Sequence, residues 1–112
     1  MKTINRTVIT IIPKQPYINW ANSFDDNGPK IETDKKLAIS ILISDKYDEY
    51  NYEKFIKKNY SDIFEEELDA WMSDPNGWPK NRTYQMFNEW FEVLVSEFVI
   101  DMGDGSVEHE PF

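Results

Sequence analysis

The chain contains no cysteine and a single histidine, His109. Without a thiol it can build no disulfide framework, thiolate zinc site, iron–sulfur cluster or cysteine nucleophile. With one histidine, set in an acidic tail, a histidine-based triad, a multi-histidine metal site and a histidine base in the core are all excluded. Positive charge is scarce as well: 12 Lys and Arg stand against 21 Asp and Glu, a formal net charge of −9. That balance argues against a nucleic-acid partner, because phosphate backbones attract Lys and Arg. Long apolar runs are missing. The longest, Leu37–Ile43, is interrupted by Ser40 and falls well short of the roughly 20 residues of a membrane span. Met1–Thr10 alternates polar and apolar residues and lacks the apolar core of a signal peptide. No Walker-type loop and no Gly-x-Gly-x-x-Gly occurs. These absences lead us to expect a cytoplasmic protein that contacts neither membrane nor nucleic acid and needs no cofactor.

What is present is enough apolar material for a folded unit. At 112 residues, 40% hydrophobic and 15% aromatic, the chain is the size of one domain and buries enough surface to fold without covalent staples. Thr7–Ile12 consists only of Thr, Val and Ile. Those branched side chains suit a pleated strand, which we expect over Thr3–Ile12 with Pro13 ending it. Pro16 fits the first turn of a short helix, whose apolar stripe is Tyr17, Trp20, Ala21 and Phe24. Asp25–Asp34 reads as a surface loop. Its Asp25-Asp26-Asn27-Gly28 lacks the alternating acids of an EF-hand calcium loop. Lys36–Ser44 alternates again and predicts a second strand, with Leu37, Ile39, Ile41 and Ile43 on its apolar side. Asn51 can cap one helix and Ser61 another. The Ser61 helix would bury Ile63, Phe64, Leu68 and Trp71, with Asp62, Glu65, Glu66 and Glu67 near its positive end. Ser73–Pro79 is a turn-rich break, and Thr83 can cap a helix through Trp90. Over residues 92–101 two readings compete, a continued helix or a third strand; the strand completes a better sheet. The expected fold is α+β, in the order β-α-β-α-α-α-β. A three-stranded, or else two-stranded, sheet is covered by about four helices in a single domain over residues 1–102, and an acidic, frayed tail follows over 103–112.

Two clusters stand out as binding candidates. Asp62, Glu65, Glu66 and Asp69 are spaced to share one helical face. They form either a solvated surface or a docking stripe for a basic partner; a metal ion is the least favoured reading. Trp78-Pro79-Lys80-Asn81-Arg82-Thr83 feeds into a helix and sets Lys80 and Arg82 in an otherwise acidic chain. It suits an anion held by free N–H groups, or else a core plug (Trp78), a cap (Asn81 or Thr83) and an ion-paired Arg82. Tyr47, Tyr50, Tyr52 and Tyr60 are candidates for an exposed contact patch.

Pro13–Trp20, Glu65–Trp71, Trp78–Thr83 and Met86–Phe91 together resemble a family of small bacterial proteins with a Trp-Pro-x-Asn-Arg-Thr…Phe…Trp-Phe pattern and no characterised activity. The likeness runs from about residue 4 to residue 102 and implies a bacterial cytosolic source. Similar sequences carry a histidine near the position of Ser96 or Glu97, which this chain lacks.

The paucity of catalytic residue types favours a non-enzymatic, acidic interaction module. An inhibitor, immunity-type or regulatory protein docking a basic protein all fit. The alternative is a small-ligand binder or enzyme built on the Trp78–Arg82 loop and nearby carboxylates; a third reading is an assembly role through aromatic contacts. The sequence assigns no catalytic residue, no metal ligand and no oligomeric state.

Overall fold

A computed structural model of the chain describes residues 1–24, 30–31 and 37–111. Among the described residues the fold is α+β, with three α-helices and five strands in two small antiparallel sheets. The strands are β1 (Lys2–Ile4), β2 (Arg6–Pro13), β3 (Ile39–Ser44), β4 (Phe91–Ser96) and β5 (Val99–Asp101). The helices are α1 (Gln15–Ala21), α2 (Tyr52–Asp69) and α3 (Tyr84–Trp90), with a 3₁₀ turn at Pro75–Gly77. β2 lies at the centre of a sheet ordered β3-β2-β4, and β1 pairs with β5 separately.

Antiparallel residues directly opposite one another share a face. Ile9 therefore sits between Ile41 and Val95, and Ile11 between Ile39 and Val93. This face carries the core: Ile9 and Ile11 are fully buried, together with Tyr17, Phe64, Leu68 and Phe87 from the helices. The other face carries Leu42 and Leu94, both about half exposed. One face covered and one face open is common for an antiparallel sheet.

Several sequence expectations are corrected. Thr3–Ile12 is two strands, because the ladder carries a bulge. Ile4 pairs with Val99 and Val8 with Ser96, so Asn5–Thr7 on one side faces only Glu97 and Phe98 on the other. An extra residue on one strand breaks the pairing and bends it. Pro13 is the last residue of β2, opposite Phe91, and Lys14 N–H then donates to Trp90 C=O at 2.7 Å.

The expected pair of helices at Asn51 and Ser61 is one continuous helix, α2, and Ser61 caps nothing. Ile56, Ile63, Phe64 and Leu68 lie on one buried stripe of it. Burying that stripe in one piece avoids a second helix start with its own unsatisfied N–H groups. Glu65, Glu66, Glu67 and Asp69 thus sit toward the C-terminal end, where the helix dipole opposes negative charge. The element order becomes β-β-α-β-α-α-β-β, with three α-helices in place of about four.

Over 92–101 the extended reading holds against the helix, but as two strands, β4 and β5, in different sheets in place of one. Helix α3 ends at Trp90, and Phe91 takes extended geometry and enters β4 directly. In a continued helix, Val93 and Val95 would leave the core face of the sheet, where they flank Ile11 and Ile9. The loop expected over 25–34 lies outside the described residues except for Lys30 and Ile31, and so does the calcium-loop comparison at Asp25–Gly28. The strand expected from Lys36 begins at Ile39. Residues 103–111 carry no helix or strand and are exposed. Among the described residues, no helix is long and apolar enough to cross a membrane.

Candidate interaction surface

The eight residues from Asp62 to Asp69 present carboxylates in three different environments. The first is a groove beside strand β3. Asp62, Ile63 and Glu66 of α2 and Ile39, Ser40 and Ile41 of β3 line a hollow of about 460 Å³. Asp62 and Glu66 are one turn apart on an exposed helix face, which sets both carboxylates on the helix side of the groove. Its floor is apolar because Ile39 and Ile41 point to the helix-covered side of the sheet while lying at its edge. Among the described residues neither Asp62 nor Glu66 is in an ion pair; the one such pair is Arg82–Glu65.

The second environment is that pair. Arg82 Nη2 donates to Glu65 Oε1 at 2.8 Å and Nη1 donates to Pro79 C=O at 2.9 Å. The guanidinium lies 5.8 Å from the ring centres of both Phe64 and Trp78. Arg82 is therefore turned inward to tie the 79–83 loop to α2, and its Nε is buried without an acceptor. Trp78 is half-buried, with its indole N–H donating to Met72 C=O at 2.7 Å. Asn81 is exposed and takes a left-handed backbone, φ 58°, a conformation that asparagine tolerates well. Thr83 caps α3 by accepting from Met86 N–H at 3.1 Å. Lys80 is exposed.

The third environment is the interior. Glu67 is 0% exposed, and neither carboxylate oxygen has a hydrogen-bond partner. Loss of water around the charged form pushes its carboxyl up to about 8 from an ordinary value of 4.5. Tyr17, also fully buried, donates its hydroxyl to the backbone C=O of Glu67. Its phenol is held well above the usual range, first by burial and then by the Glu67 charge. Sequence reasoning missed this residue by grouping Glu67 with the acids at the positive end of a helix expected to start at Ser61. The signal was present: Ile63, Phe64, Glu67 and Leu68 fall on one stripe of a 3.6-residue helix, and Glu67 is its one acid.

The acidic stripe thus divides. Asp62 and Glu66 meet at the groove, Glu65 is held by Arg82, and Asp69 is the exposed last residue of the helix. Among the described residues, no three His, Asp or Glu side chains converge as a cation site. Of the four tyrosines proposed for a contact patch, only Tyr50 is largely exposed. Tyr47 packs edge-on against Phe55 and Tyr60 packs against Tyr84, while Tyr52 lies against the core. The tryptophans serve as tethers: Trp20 and Trp71 donate to the C=O groups of Gly77 and Ala21, at 2.9 and 2.8 Å. A Cβ at Gly77 would stand 3.1 Å from both Met72 and Phe24 side-chain atoms, so those side chains would have to shift by a few tenths of an ångström to admit one.

A second hollow, about 230 Å³, lies beside the opposite edge strand β4. Its lining includes Lys14, Glu53, Asn88 and Glu92, so charges of both signs share it. No protein-family model matches this chain, and neither a curated protein nor a solved structure matches it.

Proposed function

We propose that this protein is a non-enzymatic interaction module that docks a basic protein partner on the groove between β3 and the second half of α2. The observation that carries the reading is an apolar floor, Ile39, Ile41 and Ile63, edged by two carboxylates that have no cationic partner among the described residues. An apolar centre with a charged rim suits a protein contact, where buried apolar groups supply affinity and rim charges set orientation and on-rate. The net charge of −9 extends attraction for a basic partner beyond the groove itself. The reading keeps the cytoplasmic setting and the absence of nucleic-acid contact expected from the sequence. The Trp78–Arg82 loop is less suited to binding a ligand, because its arginine is already bonded within the fold.

The test is capture from lysate of the source cell on immobilised protein, at low and at high salt, with identification of what is retained. The reading expects a basic protein that is held at low salt, released at high salt, and not held by a variant carrying Asp62→Asn and Glu66→Gln. Equal retention on the variant and the wild-type chain would overturn it.

A further inference from the structure

We infer that the occupant of this groove is an extended segment, alternating apolar and basic residues, that adds to the free edge of β3 as a fourth strand. This rests on the docking function proposed above and goes beyond it by stating the conformation and pattern of the bound chain.

Three observations point to strand addition. In the order β3-β2-β4, nothing among the described residues pairs with the outer edge of β3. Alternate residues of an edge strand turn their N–H and C=O groups outward, ready to template another chain. Edge strands are normally defended by lysine, proline or a bulge. β3 reads Ile-Ser-Ile-Leu-Ile-Ser and pairs in unbroken register with β2 from Arg6–Ser44 to Ile11–Ile39. It has none of those defences.

The roof of the groove supplies the pattern. A strand laid beside β3 at the usual spacing of about 4.8 Å turns every second side chain toward the helices. Those side chains enter the hollow over Ile39, Ile41 and Ile63. In an alternating segment these are the cationic residues, whose aliphatic stems lie on the apolar floor while their charges reach Asp62 and Glu66; the apolar residues between them turn to the open face on which Leu42 is about half exposed. Side-chain alternation gives selectivity and backbone pairing gives affinity, as in other strand-addition complexes.

Charge also selects against a second copy of this chain. Two β3 edges paired with each other would bring two sets of Asp62 and Glu66 together, within molecules that each carry −9. Like charges placed face to face at an interface disfavour the pairing.

The experiment is a titration of the intact, ¹⁵N-labelled protein at low salt with a capped eight-residue peptide of alternating lysine and valine. Three controls accompany it: the same peptide with glutamate for lysine, the lysine peptide N-methylated at alternate positions along one edge, and an amphipathic helical peptide of equal charge. Strand addition expects the lysine peptide to shift amides across Ile39–Ser44 and to slow hydrogen exchange at alternate amides of β3. N-methylation on the pairing edge should weaken binding at least tenfold, and the helical peptide should bind no better than the N-methylated one. Asp62→Lys with Glu66→Lys should cost the lysine peptide at least tenfold and let the glutamate peptide bind.

If the N-methylated and helical peptides bind as well as the parent and still depend on Asp62 and Glu66, strand addition is overturned while acidic docking stands. If no cationic peptide perturbs the groove, both fail. Self-association of the free protein, read as concentration-dependent slowing of exchange at β3 without peptide, would assign the edge to a second copy and overturn the proposal.

Discussion

Glu66 and Glu67 are neighbours in the chain and opposites in the molecule. Glu66 stands at the rim of an apolar groove, exposed to water, and Glu67 is sealed beneath the same helix with both oxygens unbonded. The difference shows how one helix assigns its carboxylates to two tasks. On the outer side a charge costs little, because water solvates it. On the inner side the same group must hold its proton, because no cation or donor compensates the lost hydration. Glu65, between the two in exposure, is neutralised by Arg82.

The largest effect expected from this contrast is on stability against pH. The folded state raises the Glu67 carboxyl from 4.5 to about 8. Between those values the folded chain keeps a proton that the unfolded chain releases. The stabilisation is therefore complete below about pH 4.5 and is lost as the pH rises toward 8, at about 1.4 kcal/mol per pH unit at most. Urea unfolding at several pH values should give a falling stability in the wild-type chain and a flatter one in Glu67→Gln. A variant with an undiminished slope would place the pH dependence elsewhere and break the contrast between the two faces.

A smaller loss is expected at the middle environment. Arg82→Ala removes the bond to Pro79, the pair with Glu65 and the stacking on Trp78 and Phe64. Because the Glu65 side chain is 46% exposed, its ion pair is screened and contributes little. The expected cost is about 1–2 kcal/mol, only partly restored by Arg82→Lys, which keeps the charge but not the planar fork. Chemical unfolding of both variants measures this; full recovery of wild-type stability in Arg82→Lys would mean that charge alone matters there.

The smallest effect on folding belongs to the rim. Asp62→Asn with Glu66→Gln should change stability by about 0.5 kcal/mol or less, as surface substitutions usually do. The same pair should slow association with a basic partner markedly at low salt. Thermal unfolding and stopped-flow binding separate the two quantities. A large stability change at the rim would show that these carboxylates hold the fold and are not held in reserve for a partner.

Local patterns in the sequence were enough for the branched run Thr7–Ile12 of β2 though not for where that strand begins, for β3 from Ile39 onward, for the proline-initiated α1, and for α3 with its Thr83 cap. Each is written in neighbouring residues: branched runs, a fixed backbone angle at proline, a side-chain oxygen aimed at a free N–H. The two candidate clusters were also legible as residue types. Their division was not, since helical spacing alone puts Glu65 beside Asp62 and Glu66 and says nothing of an arginine 17 residues away.

What the amino-acid sequence by itself determined is the α+β class, the acidic balance, the lack of any thiol, and the strands and helices with strong local period. Tertiary structure alone decided the rest. It joined two expected helices into α2, because one uninterrupted apolar stripe covers the sheet without a second set of unsatisfied helix ends. It split the first strand with a bulge, because pairing with residues more than 85 positions away set its register. It left β3 at an edge beside Asp62 and Glu66, and it closed the core over Glu67. Each of these depends on which distant surface meets which, and burial, register and edge exposure are properties of that meeting rather than of any local run of residues.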